Sequence, residues 1–186
     1  MKRILTLSIC LTIGIKLFSQ EVKIKEPEFT GMIILVSGGD TFEKLEKQKA
    51  SAASKADIGA ALFGVVKGEG MNIVNGALSP VRVKASKTIK FIAKVKENDK
   101  DPVEVINIFK LEQDKIKDKR VLIVNKVNLN QSSSEIKFIK FEASKYGTSS
   151  YLIEISNLPG GEYAMTLEDS RGVFNMFGVD EVQNMN

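Results

Sequence analysis

From Ser79 onward, apolar and polar residues alternate with a period of two along most of the chain. That period belongs to strands with one covered and one wet face. Val81, Val83 and Ala85 alternate with Arg82 and Lys84. Phe91, Ala93 and Val95 alternate with Lys90, Ile92, Lys94 and Lys96. Tyr151, Ile153 and Ile155 alternate with Ser150, Glu154 and Ser156, and Tyr163, Met165 and Leu167 with Glu162, Thr166 and Glu168. Val103–Leu111, read VEVINIFKL, breaks the rule by being apolar on both sides. Val103, Val105, Phe109 and Leu111 face one way, Ile106 and Ile108 the other. A strand covered on both faces belongs in the middle of a sheet, so the other strands are expected to pack around this one.

Further strands are predicted over Thr30–Val36, closed by the turn residues Ser37-Gly38-Gly39-Asp40, and over Val173–Val179. Arg120–Leu129 reads as a strand with Val121, Ile123 and Val127 on its covered face. In Glu135–Ala143, Ile136 and Phe138 are followed out of phase by Ile139 and Phe141, which predicts a strand with a bulge. Lys110–Lys119 reads as a charged turn region. Residues 41–57 predict a short helix: Asp40 and Glu43 form a capping pair, and Phe42, Leu45 and Ala52 or Ala53 form a thin apolar stripe. The rival reading is a charged edge strand, Glu43–Lys49, followed by a small-residue loop, with lysines that discourage sheet-to-sheet pairing. Ile58–Val66 is apolar but too short to span a bilayer. The glycines at 59, 64, 68, 70 and 76 read as turns and bulges of a hairpin. Gly68-Glu69-Gly70 lacks the Lys-Ser/Thr that a phosphate loop requires. Nine or ten strands without interleaved helices predict an all-β fold, an antiparallel β-sandwich of immunoglobulin-like or prealbumin-like shape.

The first 20 residues follow another pattern. Lys2 and Arg3 precede an uncharged apolar run, Ile4–Ile15, which is shorter than a membrane span and suits a secretory signal peptide. Cleavage is expected beside Ser19 or Gln20. Cys10 as a lipidation site fits poorly, because Ile9 stands where a small residue belongs. The expected organisation is a signal peptide at 1–20, one β-sandwich domain at 21–180 and a polar tail at 181–186. No transmembrane segment is expected in the mature chain, and localisation is expected to be periplasmic, cell-surface or secreted.

Composition narrows the chemistry. The 186 residues include no His and no Trp, and Cys10 is the lone cysteine. A trimmed chain therefore has no imidazole and no thiol. Ser-His-Asp and Cys-His nucleophiles, His/Cys zinc sites, haem and iron–sulfur ligation by His or Cys, and disulfides are excluded. Loss of Lys2, Arg3 and Lys16 with the leader lowers the 27 basic residues to 24 against 23 acidic ones, a net charge of +1. Such a balance gives no electrostatic reason to expect nucleic acid as a partner.

Several segments carry a resemblance: GALSPVRV at 76–83, FIAKV and DP at 91–95 and 101–102, KYGTSSYLIEI at 145–155, LPGGEYAM at 158–165 and FGVD at 177–180. Together they resemble uncharacterised secreted β-rich proteins of Bacteroidetes-type bacteria over about residues 76–180. The shared motifs are turn glycines and strand aromatics. The resemblance implies export and a β-rich fold, with no catalytic residues or cofactor to carry over.

The remaining candidates are oxygen chemistry and charge. Glu97, Asp99 and Asp101, with Asn98, could ligate calcium, although Lys100 sits among them and a solvated turn is the simpler reading. Glu162, Glu168 and Asp169 lie near Gly-rich turns, and a carboxylate pair could hydrolyse glycans. On the alternating pattern, though, Glu162 and Glu168 read as the wet face of a strand. Lys84, Lys87, Lys90, Lys94 and Lys96 form a basic cluster that could meet an anionic partner or simply guard a sheet. Tyr146 and Tyr151 read as a corner tyrosine and a core tyrosine. Asn130-Gln131-Ser132 matches a glycosylation acceptor, discounted for a bacterial protein. The expected function is that of an exported, non-enzymatic module without cofactor or metal, touching a cell-envelope protein or glycan. The alternatives are a barrel-type ligand carrier and a carboxylate-dependent glycan hydrolase.

Overall fold

The computed structural model describes residues 24–38, 40–56, 67–128, 131–170 and 172–181. In chain order its elements are β1 (Ile33–Val36), β2 (Phe42–Lys44), β3 (Glu46–Lys49), β4 (Ser51–Ala56), β5 (Lys67–Asn75), β6 (Arg82–Lys84), β7 (Thr88–Lys94), α1 (Pro102–Val105), β8 (Ile106–Asp114), β9 (Lys119–Asn128), β10 (Gln131–Ser134), β11 (Glu142–Tyr146), β12 (Ser150–Ser156), β13 (Gly161–Leu167) and β14 (Val173–Asp180). They form an all-β, two-layer sandwich. The first sheet has the order β11-β12-β7-β1-β2, and the second β3-β14-β13-β8-β9-β5-β4, with β10 beside β9 and β6 beside β14. Among the described residues every strand pairing is antiparallel except that of β6 with β14. Only Ala50 separates β3 from β4, so the two ends of the second sheet are consecutive halves of one extended segment. That segment pairs with β14 through β3 and with β5 through β4, which closes the sheet on itself.

The closure explains why the sequence is apolar on both sides at β8. One face of β8, β13 and β14 meets the first sheet, placing Ile106, Ile108, Tyr163, Met165, Phe177 and Val179 against Ile33, Leu35, Phe91, Tyr151, Ile153 and Ile155. The Phe177 ring lies 4.8 Å from that of Phe91 and stacks at 5.6 Å on Tyr163, so aromatic contacts join the two layers. The opposite face turns into the closed sheet, where Phe109, Leu111, Ala164, Phe174 and Met176 pack with Val74 and Leu122. The outer face of the first sheet is covered too. Residues 24–27, which join no ladder, lay buried Ile24 over Ile34 and Ile92.

The sequence reading is corrected at five places. Residues 41–56 form no helix: β2, β3 and β4 are extended, because Leu45 is buried and Glu46 turns inward, while Phe42 of the supposed apolar stripe is half exposed. The rival reading holds only in that the segment is extended: Glu43–Lys49 is divided between β2 of the first sheet and β3 of the second, and the small residues after it form β4 rather than a loop. Val103–Val105 is the short helix α1, started by Pro102 and capped by Asp101, and Val103 is exposed; the central strand begins at Ile106. Lys110–Lys119 is mostly strand, since β8 runs to Asp114 and only residues 115–118 turn. On β9 the buried face carries Arg120 and Leu122, while Val121, Ile123 and Val127 are half covered on the other. Glu135–Ala143 is not one bulged strand: residues 135–141 join no strand, and β11 begins at Glu142. Its phase change marks a crossing, with Ile136 packed against the closed-sheet cluster and Ile139 and Phe141 against the intersheet core. The bulge lies elsewhere, between Gly70 and Met71 of β5. Residues 1–23, the whole of Ile58–Val66 and the tail beyond 181 lie outside the described residues.

Candidate functional site

Among the described residues, the largest concentration of buried charge is at one end of the closed sheet. Arg120 lies in phase with Leu122 on β9, so its side chain enters the interior, where it is wholly inaccessible to solvent. A guanidinium there is tolerable only if its donors are all used. Nη1 and Nη2 each reach a carboxylate oxygen of Glu46 on β3 at 2.8 Å. Nε donates to the Gly76 carbonyl at 2.8 Å and Nη2 also to that of Asn75 at 3.0 Å. Glu162 on β13 stands 3.7 Å from Nη1.

Glu162 is itself fully buried. One of its oxygens accepts from the Ser79 amide at 2.7 Å, and the other from Arg82 of β6. The Arg82 Nε donates at 3.0 Å to Asp180 at the end of β14. The chain of charge thus runs Glu46, Arg120, Glu162, Arg82, Asp180, and ties β3, β6, β9, β13 and β14 to the loop before β6. Burial would raise the pKa of Glu46, but its hydrogen bonds from Arg120, Ser79 and Gln48 and the Arg120 charge more than offset this and hold it below the ordinary glutamate range. Burial would lower the Arg82 pKa, but its hydrogen bonds to Asp180 and Glu162 and their two charges together more than offset this and raise it.

Gly178 is required beside this network. A side chain on it would occupy the space of the Arg82 guanidinium and of a Glu162 oxygen. Gly178→Ala is therefore expected to cost about 1–3 kcal/mol, as overpacking does. Chemical denaturation checks this, and an Arg82→Ala background should remove part of the penalty.

The structure does not assemble the predicted carboxylate pair. Glu162 opens β13, whereas Glu168 and Asp169 follow its other end, about 20 Å away along an extended strand. That exceeds the roughly 5–10 Å of a glycosidase pair. Glu168 pairs instead with Lys100 at 2.9 Å and raises its pKa. The assignment of Glu162 to a wet face was wrong, because the closed sheet covers it. Of the proposed calcium loop, Asp101 caps α1 by accepting from the Val103 amide at 3.1 Å, and Asn98 donates to the Ser150 carbonyl at 3.0 Å. Among the described residues no group of three His, Cys, Asp or Glu side chains is placed to hold a metal ion.

The lysines do not form one patch. Lys90 pairs with Glu154 at 2.9 Å and Lys94 with Glu26 at 2.8 Å, while Lys84 belongs to the other sheet. Tyr151 is core, with its hydroxyl donating to the Lys100 carbonyl at 2.7 Å, and Tyr146 donates to the carbonyl of Ile24. Gly68-Glu69-Gly70 lies within β5. Asn130 lies outside the described residues, and Gln131 and Ser132 begin β10. Sequence reasoning missed Arg120, Glu46 and Arg82. The available signal was Arg120 in step with Leu122 and Val124 on a strand apolar on both faces.

Glu26 forms a second charged site. Its carboxylate accepts from Lys94 Nζ at 2.8 Å, the Ser150 hydroxyl at 2.7 Å, the Thr148 amide at 2.5 Å, the Thr148 hydroxyl at 3.1 Å and the Ser149 amide at 3.2 Å. Burial raises its pKa, but these donors together hold it far below the ordinary range. Both Glu26 and Glu46 thus bind protons more weakly folded than unfolded, so their stabilisation is complete above the unfolded glutamate pKa of about 4.3 and is lost as pH falls through the lower folded values. Melting temperature is expected to hold from pH 7 to about 5 and fall steeply below about 4.3. Glu26→Gln should flatten part of that fall, and a wild-type melting temperature unchanged down to pH 3 would contradict the assignment.

No protein-family model matches the chain, and no curated protein does. Among solved structures, the crystal structure of the ZIG-8–RIG-5 IG1–IG1 heterodimer matches over 55% of this chain and 81% of its own, at 10% identity and a TM-score of 0.30. A likeness that weak carries no argument about function.

Proposed function

We propose that this chain is an exported, non-enzymatic β-sandwich module that works at the cell envelope by binding or bracing. The observation that carries this reading is the saturation of Glu162. Both its oxygens are taken, by an amide and by Arg82, in a fully buried position. An acid or base in catalysis must reach the proton it transfers. Glu162 reaches only its own neighbours, and no imidazole or thiol stands in reserve once the leader is lost. The ligand-carrier reading loses support, because Phe109, Leu111, Phe174 and Met176 pack with Val74 and Leu122 inside the closed sheet. Export rests on the basic start and short apolar run of residues 1–20 and on the resemblance to secreted Bacteroidetes-type proteins. The test is fractionation of cells producing a tagged copy, with mass measurement of its N-terminus. A chain beginning near Gln20 or Glu21 in the periplasm, surface or medium is expected. Untrimmed protein in the cytosol would overturn the reading.

A further inference from the structure

The segment before β1 is held as a ligand is held. Residues 24–27 lie on the outer face of the first sheet without joining a ladder. Three features fix them. Ile24 is buried on Ile34 and Ile92, and its carbonyl accepts from the Tyr146 hydroxyl. Glu26 enters the turn between β11 and β12, where five donors from Lys94, Thr148, Ser149 and the fully buried Ser150 converge on it. Pro27 is buried beside it. The turn is shaped for this carboxylate: Gly147 has φ +59°, and a side chain on it would strike the Glu26 carboxyl group. Lys94 serves twice, since its carbonyl accepts from the Gly31 amide at 2.8 Å where the segment turns into β1.

We propose that this groove is a peptide site for an extended apolar-x-acidic-Pro segment, and that a second copy of this chain can supply the occupant by exchanging residues 24–27. The second copy carries the same Ile24, Glu26 and Pro27, so every contact is reproduced in trans. The hinge is the turn at 29–32, which the Met32 amide closes on the Phe29 carbonyl at 3.1 Å and which Gly31 anchors to the Lys94 carbonyl and the Lys47 ammonium. Exchange of an identical element is a low-cost route to a dimer. In the single copy, the attached segment competes at high effective concentration, so the free groove is rare.

The test uses the chain from Glu21, the form that export would leave, and a fluorescent peptide of residues 21–30. Glu26→Gln weakens the attached segment and leaves the groove intact. That variant, shown folded by circular dichroism, is expected to bind the peptide about tenfold more tightly than wild type. Replacing the glutamate at position 26 of the peptide should cost about tenfold, and replacing that at 28 should not. Lys94→Met damages the groove and leaves the segment intact. A mixture of the Glu26→Gln and Lys94→Met chains should give a mixed dimer by native mass spectrometry in excess of either alone. A folded Glu26→Gln chain that binds no peptide up to about 1 mM would overturn the site. Peptide binding without any mixed dimer would overturn the second copy as occupant. Neither result bears on whether the chain is exported, which the N-terminal mass decides separately.

Discussion

Arg120→Met is expected to lower the unfolding free energy by about 3–5 kcal/mol, the loss typical when one partner of a buried ion pair is removed. The methionine fills much of the same volume, so packing is not the main loss. The loss comes from Glu46, which stays largely covered but no longer has its bidentate partner, and from the Gly76 carbonyl, which loses its donor, while the Asn75 carbonyl keeps only Gln48. For a chain of this size that is a fall in melting temperature of about 10 °C or more. The double replacement Arg120→Met with Glu46→Leu should be milder than the sum of its parts, since an apolar pair of similar volume leaves no uncompensated charge. Guanidinium unfolding of the four chains measures the coupling. Additive losses would mean that the 2.8 Å contacts contribute little.

What could be read from the sequence depended on whether the signal was local. β7, β12 and β13 were legible because alternation is written in consecutive residues, and β14 because an apolar run follows a turn. The centrality of β8 was legible because Ile106, Ile108, Phe109 and Leu111 leave neither face for water. The segment from Phe42 to Ala56 was misread because its i,i+4 charge pairs favour a helix locally. Its real partners, β14 and β5, lie far along the chain and set an extended register. The face of β9 was misjudged because Val121 and Ile123 look like core, while Arg120 looks like surface until Glu46 and Glu162 are placed around it. Those carboxylates stand 74 and 42 positions away, and nothing between them announces the meeting. Glu135–Phe141 failed for a related reason. Two successive apolar pairs out of phase fit a bulge as well as a crossing between two cores, and only the second sheet's closure creates two cores to cross between.

Glu162→Gln is the second large effect, about 3 kcal/mol or more, because it removes the charge that faces both Arg82 and Arg120 and leaves two guanidinium groups sharing fewer acceptors. Its neighbour in sequence, Glu168, is a control of the same type on the same strand's far end. Glu168 is exposed and paired only with exposed Lys100, so Glu168→Gln should stay within about 0.5 kcal/mol of wild type.

That contrast tests most directly whether the carboxylates of β13 serve the framework rather than a reaction. The measurement is paired guanidinium unfolding of Glu162→Gln and Glu168→Gln, with wild type alongside in a glycan-hydrolysis screen. The expected result is a large loss of stability for the first, almost none for the second, and no turnover by wild type. Contradiction would be a Glu162→Gln chain as stable as wild type, together with wild-type turnover that the substitution abolishes.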